Sequence, residues 1–225
     1  MELKHVVPWG RSFDEYRKIF SLSEADLNKY ILGCGDGPAS FNAELSARGG
    51  KIVSADPSYQ FTVSQLKSRI SDVYDEIMPQ AQLNKDNYCW ESIPSIEALG
   101  EIRMSAMNTF LADYENGKAQ GRYIEASLPT LPFNDKQFDL ALCSHYLFLY
   151  SEQVSFDQHL QAMIELCRVS TEVRVYPLIA LNGQQSPHIN EIKSALTNLG
   201  HRVSLAEVDY QFQKGATHML VVTSA

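Results

Sequence analysis

The chain has 225 residues, 44% hydrophobic and 20% charged: enough for one well-buried α/β domain with an elaboration, and too few for two full domains. Its net charge of -8 disfavours a surface built to neutralise phosphates, so nucleic acid is not an expected partner. Cys34, Cys89, Cys143 and Cys167 form no C-x-x-C pair and no cysteine–histidine cluster of metal spacing, no apolar run approaches membrane-spanning length, and Met1 to His5 lack a signal-peptide core. The expectation is a soluble cytoplasmic protein with reduced thiols, no metal and no membrane partner.

Ser12 with Glu15 forms a capping box, and Phe13, Tyr16, Ile19 and Phe20 recur at helical spacing, predicting an amphipathic helix ahead of the sheet. Tyr30 to Leu32 reads as a buried strand that empties into Gly33-Cys34-Gly35-Asp36-Gly37. Alternating glycines allow backbone angles and a close ligand approach that a Cβ would block. Pro38 suits the first position of a helix whose Phe41 and Leu45 share a face and whose end is Gly49-Gly50. Lys51 to Ala55 is a second strand leading to Asp56-Pro57, about twenty residues past the glycines, where nucleotide-binding units place an acid against ribose hydroxyls. Asp56 has a second reading, as a cap on the turn that follows it. The G-x-G-x-G spacing departs from the dinucleotide G-x-G-x-x-G and weighs against a nicotinamide or flavin.

Between Asp56 and Tyr123 lies far more chain than one crossover requires. Val63, Leu66, Ile70, Val73 and Ile77 mark one helix there; Ile96, Leu99, Met107, Phe110 and Tyr114 mark another ending near Gly117. Residues 61–120 are therefore read as a helical insertion able to cap a substrate pocket. Arg122 to Glu125 and Phe138 to Ser144 are the third and fourth strands. Ser155 and Gln158 open a helix carrying Leu160, Ile164 and Cys167, and Glu172 to Pro177 is the fifth strand. Ser186-Pro187 opens a helix through Ile189, Ile192, Leu196 and Leu199, closed by Gly200. Arg202 to Val208 and His218 to Thr223 are close enough in sequence to pair as an antiparallel hairpin. The predicted fold is one domain over 1–225, α/β and Rossmann-like: a mostly parallel seven-stranded sheet with a C-terminal antiparallel hairpin and a helical insertion after the second strand.

Three segments carry a family resemblance: Ile31 to Gly37, Asp56, and Leu131-Pro132-Phe133 running through Phe138-Asp139 to Leu142. They resemble the glycine motif, the strand-end acid and the passage into the fourth strand of class I S-adenosylmethionine-dependent methyltransferases. The resemblance implies S-adenosyl-L-methionine as cofactor, with Gly33, Cys34, Gly35 and Gly37 along its methionine part and Asp56 on its ribose. Pro57, Ser127 and Leu128 then fall at the adenine; Ser127 stands where many members carry an acid, and Glu125 is a nearby alternative. Ser144 and His145 leave the fourth strand at the ligand-binding edge. His145 reads either as a general base or as a histidine that bonds the glycine loop or caps the following turn, the structural reading being favoured, so no catalytic residue is assigned. Trp9, Trp90, Tyr146, Phe148 and Tyr150 read as core or as walls of a substrate pocket. The implied activity is methyl transfer to a small-molecule or protein acceptor. The N/D-P-P-Y/F signature is absent, which counts against adenine-amine and glutamine-amide acceptors. Two rivals stand beside it: a non-catalytic sensor or partner protein that binds S-adenosylmethionine or S-adenosylhomocysteine, and an NAD-dependent oxidoreductase.

Overall fold

Short apolar runs in this chain alternate with helices, and in a computed structural model describing residues 7–225 they build one seven-stranded sheet. The reading of Met1 to His5 lies outside the described residues. The strands are β1 (Tyr30–Cys34), β2 (Lys51–Ala55), β3 (Tyr123–Ile124), β4 (Phe138–Ser144), β5 (Ser170–Tyr176), β6 (Arg202–Glu207) and β7 (His218–Thr223). Their order is β3-β2-β1-β4-β5-β7-β6. The first five are parallel neighbours, while β7 runs antiparallel to both β5 and β6, so the predicted Rossmann-like sheet with a terminal hairpin is present. Cys34 stands level with Ala55 on one side and Cys143 on the other, which aligns the carboxyl ends of β1, β2 and β4. Between β1 and β4 the strand order reverses, and open α/β sheets bind ligands in the crevice that this creates.

Alternation along the strands decides the packing. Ile31, Ile52, Leu140 and Leu142 face α1 (Phe13–Ile19) and α3 (Phe41–Ala47), where Phe41 stacks on Tyr16 at 4.6 Å between ring centres. Leu32, Val53, Ala141, Cys143, Val173 and Val175 face α6 (Phe156–Val169) and α7 (Ile189–Asn198). Both faces are covered, as a parallel sheet of apolar strands requires. A single turn, α2 (Glu24–Leu27), leads into β1. The capping boxes at Ser12 and Ser155 form as the sequence indicates.

Two details differ from the sequence reading. Pro38 is not the first residue of α3, which begins at Phe41, and Pro187 likewise lies ahead of α7, which begins at Ile189. Gly37 just before Pro38 is left-handed (φ 49°), and the Ser40 N–H is taken by the Arg11 carbonyl at 3.0 Å, so residues 38–40 form a turn instead of a helical start. The insertion does hold two long helices, α4 (Val63–Leu83) and α5 (Ile96–Ala119), but α5 runs through Gly117. That glycine is a contact point: a Cβ there would overlap the Tyr123 ring. The chain turns instead at Gly121, with φ 72°.

Candidate functional site

The glycine loop is held by its neighbours on every side. Gly35 N–H donates to the Ala55 carbonyl at 2.9 Å, tying the loop to the end of β2. Gly37 N–H donates to Asp56 Oδ2 at 2.9 Å, and Tyr59 Oη donates to the Gly37 carbonyl at 2.8 Å. Asp56 also caps the 3₁₀ turn Pro57–Gln60, its Oδ1 accepting from Ser58 N at 2.8 Å and Ser58 Oγ at 2.5 Å. The capping reading of Asp56 is thus realised, and the same carboxylate reaches the glycine loop. Of about four acceptor positions on it, three are used within the chain, leaving one on Oδ2. Burial raises its pKa, against the hydrogen bonds from Ser58 and Gly37 that lower it.

Asp36, the residue between the last two glycines, turns inward. Its carboxylate accepts from Tyr16 Oη and Ser54 Oγ, both at 2.7 Å. Gly33 is glycine for this reason, since a Cβ there would overlap the Asp36 carboxylate. Burial pushes the Asp36 pKa up to about 6. A carboxyl protonated more readily when folded than unfolded takes stability away as pH rises from about 4 to about 6, by about 3 kcal/mol for a displacement of this size. His145 and His159, with lowered pKa values, act in the opposite direction over the same range. The Asp36 contribution is therefore isolated as a difference. Asp36→Asn is expected to gain up to about 3 kcal/mol relative to wild type between pH 4 and pH 6. Urea unfolding at each pH measures it, and a pH-independent difference would contradict this placement of the charge.

These groups line a cavity of about 370 Å³ at the carboxyl ends of β1, β2 and β4. It brings together Cys34, Gly35, Gly37, Asp56, Pro57, Ser127, Leu128, Ser144 and His145, with Tyr146 and Trp9 also in the wall. Gly33 is beneath the loop and does not line it; neither do Glu125, Trp90 and Phe148. Phe148 is core, and Trp90 packs edge-on against Tyr88 and Phe212. His145 adopts φ 52° as the chain leaves β4. Its Nδ1 pairs with Ser144 Oγ at 2.8 Å, and its backbone N–H donates to the Tyr176 carbonyl at 2.7 Å, so it is bonded to its own strand end and to β5, not to the glycine loop. Burial, then the charges of Arg11 and Arg103, hold its pKa well below the usual histidine value. It is a neutral imidazole at pH 7.

A second cavity, of about 100 Å³, adjoins the first and shares Val7, Trp9, Arg11 and His145 with it. Ile77 and Ala81 of α4 and Leu99 and Arg103 of α5 form its far wall; Tyr88, Tyr150, Tyr176 and Phe212 form its sides. Asp36 and Tyr16 at the larger cavity are not singled out by the sequence as contact groups. The one available signal was Asp36, an acid with no strand-end position, placed inside a loop of small residues.

No family model matches the chain. An uncharacterized protein of Methanocaldococcus jannaschii is 28% identical over 223 residues, spanning 99% of this chain and 98% of that one. Among solved structures, magnesium protoporphyrin IX methyltransferase from Synechocystis PCC 6803 with bound SAM is 12% identical at a TM-score of 0.44, covering 95% of this chain and 91% of its own. The PH0226 protein from Pyrococcus horikoshii OT3 is 11% identical at a TM-score of 0.49, covering 94% and 92%. Likeness at this level does not say what a chain binds. Among the described residues, no helix is long and apolar enough to cross a membrane.

Proposed function

We propose that the chain is an S-adenosylmethionine-dependent methyltransferase acting on a small molecule, with the larger cavity as the cofactor site and residues 61–120 as a cap over the acceptor. The observation that carries this reading is the convergence of the glycine loop, Asp56, Ser127 with Leu128, and Ser144 on one cavity of about 370 Å³. The residues present fit the cofactor. Gly35 and Gly37 bare the backbone, Asp56 Oδ2 keeps an acceptor position for a ribose hydroxyl, and Pro57 and Leu128 supply flat apolar surface for a base. S-adenosylmethionine supplies a methyl group already activated on a sulfonium. The chain's share is then to hold the acceptor in line and keep water out, with His145 on the boundary between the two cavities as a neutral base for an acceptor that must lose a proton.

Calorimetric titration with S-adenosylhomocysteine and with NAD tests the cofactor. Micromolar affinity for the first and none for the second is expected; the reverse order would sink the reading. Labelled S-adenosylmethionine incubated with small-molecule extract then separates an enzyme from a binding protein, which would hold the label without transferring it. Gly35→Val probes the loop itself. At φ 71° a branched side chain is strained, and its Cβ would stand 3.2 Å from Tyr146, so the loop must shift and S-adenosylhomocysteine affinity is expected to drop by at least tenfold. Unchanged affinity in the folded variant would remove the loop from the site.

A further inference from the structure

Charge is unbalanced around the smaller cavity. Two guanidiniums, Arg11 and Arg103, face one carboxylate, Glu15. That carboxylate is fully engaged elsewhere: Oε1 accepts from Arg103 Nη2 and Tyr210 Oη, each at 2.7 Å, while Oε2 accepts from Arg103 Nη1 at 2.5 Å and from Ser12 N and Oγ. Nothing remains on it for Arg11. The Arg11 Nη1 is spent on the Trp9 carbonyl at 2.5 Å, and its Nε is shut off from solvent with no partner. A buried guanidinium nitrogen left unpaired is costly unless something binds it. Burial, and next the charge of Arg103, lower the Arg11 pKa to about 10, so it stays a cation at neutral pH.

Arg11 lines both cavities, and in the smaller one it shares the wall with Tyr88, Tyr150, Tyr176 and His145. Apart from Arg103, which is paired with Glu15, the His145 ring and the amides of Asn87 and Gln213, the rest of the lining is apolar or aromatic, with Tyr88 and Phe212 stacked at 4.8 Å. One unmatched positive charge calls for a monoanion, and a guanidinium edge is shaped for a carboxylate. A volume of about 100 Å³ limits the body of the ligand to less than a benzene ring, since benzene takes a cavity of about 150 Å³.

Resting on the methyl-transfer reading above, we propose that the smaller cavity is the acceptor site and takes a small organic acid, its carboxylate on Arg11 and its apolar body among Tyr88, Tyr150, Tyr176 and Phe212. His145, common to both cavities, then stands where the acceptor meets the cofactor.

The test is calorimetric titration of the full chain with butanoate and 3-methylbutanoate against their neutral amides, with and without saturating S-adenosylhomocysteine. At least one acid is expected to bind at least tenfold more tightly than its amide, the discrimination given by a charged hydrogen bond. Arg11→Met should reduce that preference to within about twofold and Arg11→Lys should keep part of it; because Arg11 also lines the larger cavity, S-adenosylhomocysteine affinity is read on both. Equal binding of acids and amides overturns the proposal. So does loss of S-adenosylhomocysteine affinity in folded Arg11→Met, because Arg11 would then serve the cofactor's own carboxylate. Should wild type prefer the acid yet bind no S-adenosylhomocysteine, the anion site stands while its acceptor role falls with the methyltransferase reading.

Discussion

Asp56→Ala is expected to weaken S-adenosylhomocysteine binding by on the order of tenfold to a hundredfold while costing the fold only about 1 kcal/mol. The first figure is the loss of one charge-assisted hydrogen bond to a ribose hydroxyl, and the second is the loss of a turn cap. Under the proposed function a single carboxylate would carry both roles, so the variant alone does not separate them, and two others do. Ser58→Ala removes the capping donor Oγ at 2.5 Å and leaves the Oδ2 side intact, so affinity should hold. Asp56→Asn can still accept from Ser58 with its amide oxygen, but its NH₂ then faces the Gly37 N–H, which now donates to Oδ2 at 2.9 Å. Two donors opposed at that distance must move apart, so Asn should keep most of the melting temperature and lose the ligand. Calorimetry with thermal unfolding on the three variants reads the pattern. Wild-type affinity in a folded Asp56→Ala protein would exclude Asp56 from the ligand site.

The parts of this site legible in sequence are those fixed by local geometry. A strand that ends in alternating glycines, a second that ends in an acid, and a fourth entered through Phe138-Asp139 are each recognisable alone. Parallel strands bring their carboxyl ends to one edge, so three distant signals converge without any knowledge of packing. Ser127 and Leu128 follow because they lie just beyond β3 at the same edge. The turn at residues 38–40 was not legible, since it depends on the Arg11 carbonyl reaching Ser40 from a separate segment. Asp36 was hidden for the same reason. Its partners Tyr16 and Ser54 come from α1 and β2, and only their approach in space turns a loop aspartate into a buried acid.

Glu15 shows how a correct local reading can conceal a larger role. The S-x-x-E pattern from Ser12 gives a capping box, and the box is there, with Ser12 N donating to Oε2 at 2.9 Å. The same carboxylate pairs with Arg103, which is 88 positions away, and with Tyr210, 195 positions away. Sequence spacing carries no trace of either. Helical period puts Arg103 on the apolar face of α5, in line with Leu99, Met107 and Phe110, but does not say which carboxylate meets it; in the structure it is 0% exposed.

Glu15→Ala is therefore expected to be the most destabilising single change near the site, at about 3–5 kcal/mol, because it strands a fully buried guanidinium with no counterion. For a chain of this length that corresponds to a melting temperature lower by roughly 10 °C. Removing both charges should cost less than the two single changes together: Glu15→Ala with Arg103→Met leaves neither a bare carboxylate nor a bare Arg103, and the double-mutant cycle should return a coupling of about 1–3 kcal/mol. The pH dependence has a definite sign. Burial alone would raise the Glu15 pKa, but the charge and hydrogen bonds of Arg103, helped by Arg11, hold it well below the usual value near 4.5. Stability from a carboxyl lowered in the folded state is present above its unfolded pKa and is lost as pH falls beneath it. The deficit of Glu15→Ala against wild type should accordingly be full at pH 6 and shrink below about pH 4.5. A deficit that stays constant down to pH 3 would mean that packing of α1, and not this ion pair, accounts for the loss. The pair also joins α1, α5 and the loop of Tyr210 through one carboxylate, so its removal should loosen the α5 wall of the smaller cavity. Amide exchange along Ile96–Ala119 is expected to rise in Glu15→Ala at temperatures where the β1 amides stay protected.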